Sequence, residues 1–339
     1  MIEVAHQWLQ EGSDVALATV IVTWGSSPRP VGSQMVIDGT GRFEGSVSGG
    51  CIEGAVVAEA LDVIGTGTPR RVFFGVTQHQ AWEVGLSCGG EIEIYVERIT
   101  WGPVLDRLME LREAGRSACL ITDLETGDKQ VVSLDDAGAL GTLPDELRSR
   151  VEEHAQSELS GVVEREGRAL FLHGFFPAPR LIVIGAVHIA QALAHYAAIA
   201  GYDVLIIDPR EAFATDLRFP DVPINTAWPD EALQEMVIHE RTAIVTLTHD
   251  PKIDDPALEV ALRSRAFYIG SLGSRKTHAK RLERLRNRGY TEEMTDRIHG
   301  PVGLDIGAIN PEEIAIAIMA EITAARRGGQ ERTQETGSR

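Results

Sequence analysis

The sequence predicts an α/β protein in which an N-terminal α+β domain is followed by a Rossmann-like domain with a doubly wound parallel sheet. Its length of 339 residues favours two domains. Alternating, β-branched strand patterns dominate the first half, whereas short, continuous apolar runs alternate with helical patterns in the second half. Between the two halves, the segment Gly-Phe-Phe-Pro-Ala-Pro at 174–179 interrupts every periodicity and marks a domain boundary.

In the first domain, strand patterns surround one helical pattern. The turn Asp-Gly-Thr-Gly at 38–41 joins two of the strands as a hairpin. The helical pattern starts at Cys51 and is expected to close at Gly65. The predicted strands are 15–23, 34–37, 42–47, 70–76 and 91–99, and the helix is 51–64.

A weaker echo of this hairpin follows at 117–142. One and the same offset separates Val36 from Val132 and Gly45 from Gly141, which suggests a decayed internal repeat. A chance match of two short hairpins explains the few identities equally well, and both interpretations remain open. The echo holds no counterpart of Cys51.

In the second domain, four apolar strands alternate with helices, as in a parallel sheet that is covered on both faces. The last helix has the clearest start, because Asn310 suits the N-cap and Pro311 the first turn. The predicted strands are 181–184, 203–207, 242–247 and 266–269. The domains are accordingly placed at 1–174 and 181–327, with a linker at 175–180 and a mobile tail at 328–339.

Composition excludes several classes of protein. The chain has 32 Lys and Arg against 50 Asp and Glu, and its net charge of −18 argues against nucleic-acid or anionic-membrane partners. Three cysteines without a C-x-x-C pair indicate a reducing compartment, and the N-terminus lacks the pattern of a signal peptide. The long apolar segment after 181 is interrupted by His188, Gln191 and His195, so it predicts a strand and a buried helix rather than a membrane span. We therefore expect a cytoplasmic location.

The segment Ser48-Gly49-Gly50-Cys51 is the main chemical feature of the first half. Unpaired backbone N–H groups and the helix dipole favour the thiolate of a cysteine at a helix start, so Cys51 is predicted to be reactive. The alternative is a small buried hydrophobe. Cys88 is also flanked by glycines and is expected to share a soft-ligand site with Cys51. Arg29, between two prolines, is a candidate anion clamp.

The first turn of the second half is a partial dinucleotide fingerprint. Gly185 fits the first position of G-x-G-x-x-G/A, but Val187 occupies the position where a glycine lets the backbone approach a pyrophosphate. His188 follows in the same turn. Asp208 is spaced as the acidic residue that contacts a ribose, and it is equally explained as a solvated turn residue. Binding of NAD(P) is therefore doubtful on this pattern.

Two further turns follow strands of the same predicted sheet, and their ends are expected to meet at one edge. The turn with Gly270, Gly273, Ser274 and Arg275 opens a helix and is a candidate anion site, because glycines expose backbone N–H groups there. The other turn carries an adjacent histidine and aspartate, for which a structural or ligand-positioning role is favoured over catalysis. These residues are His249 and Asp250.

Several long motifs resemble the xanthine dehydrogenase accessory family, XdhC/CoxI. GSSPRPVGSQMVI, GSVSGGCIEGAVV and SCGGEIEIYVE resemble the family's N-terminal motifs. VIGAVHIAQAL, TLTHD, YIGSLGSRKT and PVGLDIGAINPEEIAIAIMAEI resemble its Rossmann-like domain. The likeness spans about 15–325. Relatives read closer to GAGHVG at the Rossmann turn, where this chain has Val187 and Ala190.

The resemblance implies a dimeric chaperone that binds molybdenum cofactor, works beside a cysteine desulfurase and delivers the cofactor to a molybdenum hydroxylase such as xanthine dehydrogenase. It implies Cys51 as the thiol near the metal and an anion cradle for the phosphate of molybdopterin. A non-catalytic accessory factor is thus expected. The alternatives are an NAD(P)-dependent oxidoreductase that uses Asp208 and, less favoured, a nucleotide sensor without chemistry.

Overall fold

A computed structural model describes residues 1–25, 29–75 and 90–328 of the chain. Its internal contacts divide the chain into two compact units, Met1–Pro177 and Ala178–Arg339. Antiparallel sheets in the first unit and a parallel sheet in the second confirm the predicted fold class.

The first unit begins with a five-stranded antiparallel sheet of order β3-β2-β1-β5-β4. Its elements are α1 (Ile2–Gln10), β1 (Val15–Trp24), β2 (Gln34–Asp38), β3 (Phe43–Gly45), α2 (Glu53–Thr66), β4 (Arg70–Phe74) and β5 (Glu91–Arg98). Strand β1 is central and buried on both faces: Ala16 and Ala18 pack beneath α2, whereas Val15 and Leu17 pack against α1. The alternation of side chains along a strand explains this division.

Helix α2 differs from the prediction at both ends. It begins at Glu53, two residues after Cys51. It continues through Gly65 and ends before Gly67, so the predicted stop at Gly65 is wrong. The physical reason is the backbone: Gly67 has φ 70°, the left-handed conformation of a helix C-cap, and its N–H donates to the carbonyl of Val63 at 2.8 Å.

A second antiparallel sheet, of order β7-β6-β9-β8, completes the first unit. Its elements and flanking helices are α3 (Pro103–Glu113), β6 (Ala118–Asp123), β7 (Lys129–Ser133), α4 (Ala137–Leu140), α5 (Asp145–Ser157), β8 (Gly161–Arg165) and β9 (Arg168–Phe175). Val36 pairs with Leu17 across the first hairpin, and Val132 pairs with Cys119 across the second. Gly45 ends a strand, whereas Gly141 follows a helix. The strand order β2-β1-β5-β4 in the first sheet corresponds to β7-β6-β9-β8 in the second. The internal repeat itself stays a prediction.

The second unit contains a six-stranded parallel sheet of order β12-β11-β10-β13-β14-β15. Within the unit this is the 3-2-1-4-5-6 order of a Rossmann fold. Its elements are β10 (Arg180–Ile184), α6 (His188–Ile199), β11 (Asp203–Ile207), β12 (Ile224–Asn225), α7 (Pro229–Gln234), β13 (Thr242–Thr246), α8 (Pro251–Arg263), β14 (Tyr268–Ser271), α9 (Arg275–Asn287), α10 (Glu292–Thr295), β15 (Ile298–His299) and α11 (Pro311–Arg327). The strand order changes direction between β10 and β13, where ligands bind in such sheets.

Two predictions about helices are confirmed in this unit. Asn310 caps α11, because its side chain accepts a hydrogen bond from the N–H of Glu313 at 2.8 Å and Pro311 occupies the first position. The apolar segment after 181 folds as a strand and a 12-residue helix. No helix within the described ranges is long and apolar enough to cross a membrane. Of the predicted tail, only Gly328 lies inside those ranges.

Candidate functional site

Cys51 lies on an exposed loop between β3 and α2. Its exposure shows that the alternative of a buried core cysteine is wrong. Gly49 and Gly50 precede it with φ angles of 81° and 119°, which side-chain-bearing residues rarely adopt. No atom lies within 4 Å of a Cβ built on Gly50, so backbone conformation, rather than space, requires the glycine there.

The carboxylate of Glu53 holds this loop in place. Its Oε1 accepts hydrogen bonds from the hydroxyl of Ser46 at 2.7 Å and from the N–H groups of Val47 and Ser48 at 3.3 and 3.0 Å. Its Oε2 accepts from the hydroxyl of Ser48 at 2.6 Å and the N–H of Gly50 at 3.0 Å. Glu53 thus collects five donors from the residues that precede Cys51.

Electrostatics agree with this geometry. Glu53 is 8% exposed. Burial alone raises the pKa of a carboxyl, but the hydrogen bonds from Ser48 and Ser46 favour the charged form and lower the pKa of Glu53 to about 2. Glu53 was missed at the level of sequence. Its available signal was a glutamate shortly after two serines and two glycines at a helix start.

Ser48 connects Glu53 to Cys51. The Ser48 hydroxyl, while donating to Glu53, accepts hydrogen bonds from the N–H groups of Cys51 and Ile52 at 3.0 and 3.1 Å. These two N–H groups belong to the last residues before α2, so Ser48 fixes the loop where it enters the helix. The thiol is therefore carried by a backbone that is fixed on both sides.

The structure brings Arg29 to the same loop. Its Nε donates a hydrogen bond to the carbonyl oxygen of Ser46 at 3.3 Å. Arg29 therefore contacts the loop that carries Cys51, and a shared binding role for Arg29, Ser48, Gly49, Gly50 and Cys51 stays a prediction. Cys88 lies outside the described residues, so the predicted pairing of the two thiols remains a prediction.

Cys119 is the other described thiol, and it is a core residue. It is buried within β6, and burial raises its pKa to about 12. Such a thiol is inert. Within residues 1–25, 29–75 and 90–328, no three His, Cys, Asp or Glu side chains are grouped closely enough to hold a metal ion.

In the second unit, the turn after β10 is held by Asp208. The Asp208 side chain is fully buried, and its Oδ2 accepts a hydrogen bond from the N–H of Ala186 at 2.7 Å. Arg210 binds both carboxylate oxygens, at 2.7 and 2.9 Å. Burial raises the pKa of Asp208, and these contacts more than offset that effect and lower it. A ribose hydroxyl would have to compete with Arg210 for this carboxylate.

Gly185 is required by packing. It has φ 108°, and a Cβ there would lie 2.5 Å from Cγ2 of Thr248 in the turn after β13. Val187 is the N-cap of α6 without a side-chain cap, and His188 is the exposed first residue of that helix. The turns after β10 and β13 are therefore in direct contact.

The other predicted site residues lie at the same edge of the sheet, because β13 and β14 are parallel neighbours. His249 has φ 61°, and Asp250 caps α8 by accepting from the N–H of Lys252 at 2.9 Å. Asp250 therefore has the structural role that its sequence context favours.

The glycine-rich turn after β14 is less open than its sequence suggests. Gly270 lies inside β14, where a Cβ would lie 2.6 Å from Cγ2 of Val302, so close packing requires this glycine. Gly273 has φ 148°. Ser274 caps α9 by accepting from the N–H of Thr277 at 3.2 Å, and Arg275 is the exposed first residue of the helix.

Both units of the chain are similar to known proteins. The profile of the XdhC and CoxI family matches residues 8–75, and the profile of the XdhC Rossmann domain matches residues 181–322. A protein of Escherichia coli K12 named molybdenum cofactor insertion chaperone PaoD is 31% identical over 323 residues, which cover 95% of this chain and 86% of PaoD. A protein of Bacillus subtilis 168, named as a probable subunit of xanthine dehydrogenase, is 29% identical, with 94% of this chain and 95% of that protein covered.

A crystal structure described as a xanthine dehydrogenase from Bacillus halodurans superposes with a TM-score of 0.76 at 25% sequence identity, covering 99% of this chain and 98% of that one. The likeness in sequence and the likeness in fold extend over both units of the chain. The protein belongs to the XdhC and CoxI family.

Proposed function

We propose that this protein binds molybdenum cofactor as cargo and inserts it into a molybdenum hydroxylase of the xanthine dehydrogenase type. The observation that carries the proposal is the exposed thiol of Cys51 on a loop fixed by Glu53. A relative with 31% identity over 95% of this chain is named a molybdenum cofactor insertion chaperone. An exposed cysteine on a rigid loop suits temporary binding, because the thiol reaches the cargo without rearrangement of the backbone.

The chemistry of the loop fits this cargo. A thiolate is a soft ligand of the kind that a molybdenum centre accepts. Arg29 and the backbone of Gly49 and Gly50 supply hydrogen-bond donors beside Cys51 for anionic groups of the pterin. Cys88 completes the proposed set in the first unit.

In the second unit, we propose a binding surface of its own at the edge of the parallel sheet. A phosphate-bearing ligand would be bound there by the N–H and side-chain donors of the turns, whereas the carboxylates of Asp208 and Asp250 hold those turns in place. The proposed residues are Gly185, His188, Asp208, His249, Asp250, Gly270, Gly273, Ser274 and Arg275.

The alternative, an NAD(P)-dependent oxidoreductase, has the Rossmann strand order in its favour. The site argues against it, because Asp208 is engaged by Arg210 and Ala186 and Val187 replaces the second glycine. The homodimer, the cysteine desulfurase partner and the cytoplasmic location belong to the main proposal.

Cofactor retention tests the proposal. Protein purified from cells that make molybdenum cofactor is assayed for molybdenum and for the fluorescent oxidation product of the pterin. We expect Cys51→Ala to lose both, while Cys119→Ala, which removes the buried thiol, keeps both. Equal retention by the two variants would exclude Cys51 as the ligand. In the same preparation, tight NADPH binding that Asp208→Ala weakens would favour the oxidoreductase instead.

A further inference from the structure

A cavity of about 140 Å³ lies in the second unit, between the turn after β13 and helices α8 and α9. A single water needs about 10–15 Å³ of such space, so the cavity has room for a polyatomic group. Most of the residues that line it have a charged side chain. Those that carry the argument are Asp254, Asp255, Lys276, Lys280, Arg281 and Arg284.

Two of the positive charges are already balanced. Arg284 donates two hydrogen bonds to the buried carboxylate of Asp255, at 2.7 and 2.8 Å. The buried Arg281 faces Asp254, with 3.9 Å between Nη2 and Oδ2. The remaining cations, Lys276 and Lys280, are exposed and form no ion pair with any described residue. The cavity therefore carries an excess of positive charge in a protein whose net charge is −18.

Arg281 supplies independent evidence for a ligand. It is 2% exposed, and its Nη2 donates to the carbonyl oxygen of Leu272 at 2.8 Å. Its Nε and Nη1 find no hydrogen-bond partner among the described residues, and neither does Oδ2 of Asp254. A buried, unpaired donor of a charged group is costly, so such atoms mark places where another molecule completes the site.

Helix α9 adds to the positive potential. It has 13 residues, and Lys276 lies in its first turn. A cation at a helix N-terminus is repelled by the positive end of the helix dipole. A bound anion is attracted to both and so offsets this repulsion. The Ser274 cap binds the N–H of Thr277 and so leaves the earlier N–H groups of the turn to other acceptors.

We propose that this cavity binds a phosphate group, either as inorganic phosphate or as a phosphate monoester. Phosphate is an acceptor-rich dianion, which matches a wall of two lysines and a guanidinium with unused donors. The cavity adjoins the sheet-edge surface proposed above, because His249 lines both, but its definition does not depend on Cys51.

Titration of the full-length protein with inorganic phosphate, followed by ³¹P NMR, tests the proposal. A parallel titration with a nucleoside monophosphate distinguishes free phosphate from a larger phosphate monoester. Lys276→Gln and Lys280→Gln are each expected to weaken binding about fivefold or more. The matched control is Lys252→Gln, which neutralises an exposed lysine near the start of α8 that does not line the cavity.

Arg281→Lys keeps the positive charge but removes the planar guanidinium and its additional N–H donors. We expect it to weaken phosphate binding more than Lys252→Gln does. If this buried variant fails to fold, the two lysine variants decide the test alone. The proposal is overturned if neither probe binds, or if Lys252→Gln weakens binding as much as the cavity variants. Because inorganic phosphate is the probe, this result is independent of whether the chain carries molybdenum cofactor.

Discussion

Glu53→Gln tests whether a carboxylate is what holds the Cys51 loop. The substitution keeps the shape of the side chain but converts one acceptor oxygen into a donor NH₂ group. The hydroxyls of Ser46 and Ser48 can turn to adapt. The backbone N–H groups of Ser48 and Gly50, which bind opposite carboxylate oxygens, have fixed directions. One of these two N–H groups would therefore face another donor.

The magnitude follows from the pKa and from the hydrogen bonds. Lowering the pKa of Glu53 from 4.5 to about 2 corresponds to about 3 kcal/mol of preference for the native loop. Solvent at the protein surface screens part of this term. A buried donor left unpaired costs about 1–3 kcal/mol. We therefore expect Glu53→Gln to destabilise the loop by about 2 kcal/mol.

Native-state hydrogen exchange measures this locally. Amides in the peptide covering 46–52 should exchange about 30-fold faster in Glu53→Gln than in the unmodified protein at pH 7. The control is Glu44→Gln, which neutralises an exposed glutamate of β3. Because the folded-state pKa is lowered, the contribution of Glu53 is fully present above pH 4.5 and is lost as the pH falls towards 2. The difference between the protein and Glu53→Gln should shrink over that range. Equal exchange rates in Glu53→Gln and the unmodified protein at pH 7 would show that the carboxylate of Glu53 does not hold the loop.

Gly185→Ala should lower the free energy of unfolding of the second unit by about 2–4 kcal/mol in urea, because φ is 108° and the new Cβ would lie 2.5 Å from Thr248; a stable variant would show that the turn relaxes easily. Burial lowers the pKa of His173 to about 4, so its protonation favours unfolding as the pH falls from 6.5 to 4. Between pH 6.5 and 4, the free energy of unfolding should fall by about 3 kcal/mol less in His173→Gln than in the unmodified protein. The same pH dependence of urea unfolding in both proteins would contradict the lowered pKa of His173.

Local sequence signals predicted part of this fold well. The start of α11 was predicted because capping by Asn310 depends on residues within one turn. The strands Ile224–Asn225 and Ile298–His299 were missed, because two-residue strands have no periodicity of their own and are defined by their partners. The predicted helix stop at Gly65 is two residues too early, because sequence alone does not show which nearby glycine adopts a left-handed backbone.

The sequence predicted the exposed cysteine of the site but not the glutamate that holds its loop in place. The glycines and serine before Cys51 predicted an exposed thiol at a helix start; the structure exposes Cys51, but the helix begins two residues later, at Glu53. The role of Glu53 was not predicted, because it depends on a loop conformation in which five donors of residues 46–50 meet one carboxylate. Likewise, the packing of Gly270 against Val302 is a contact between segments that are distant in sequence. Such contacts are set by the tertiary fold.

The most direct test of the central claim is the sulfur coordination of molybdenum in the loaded protein, measured by X-ray absorption at the molybdenum edge. We predict one more sulfur neighbour for molybdenum in the loaded unmodified protein, and in loaded Cys119→Ala, than in the free cofactor measured under the same conditions. Identical spectra from the loaded protein and the free cofactor would contradict the claim that Cys51 is the thiol that binds the cargo.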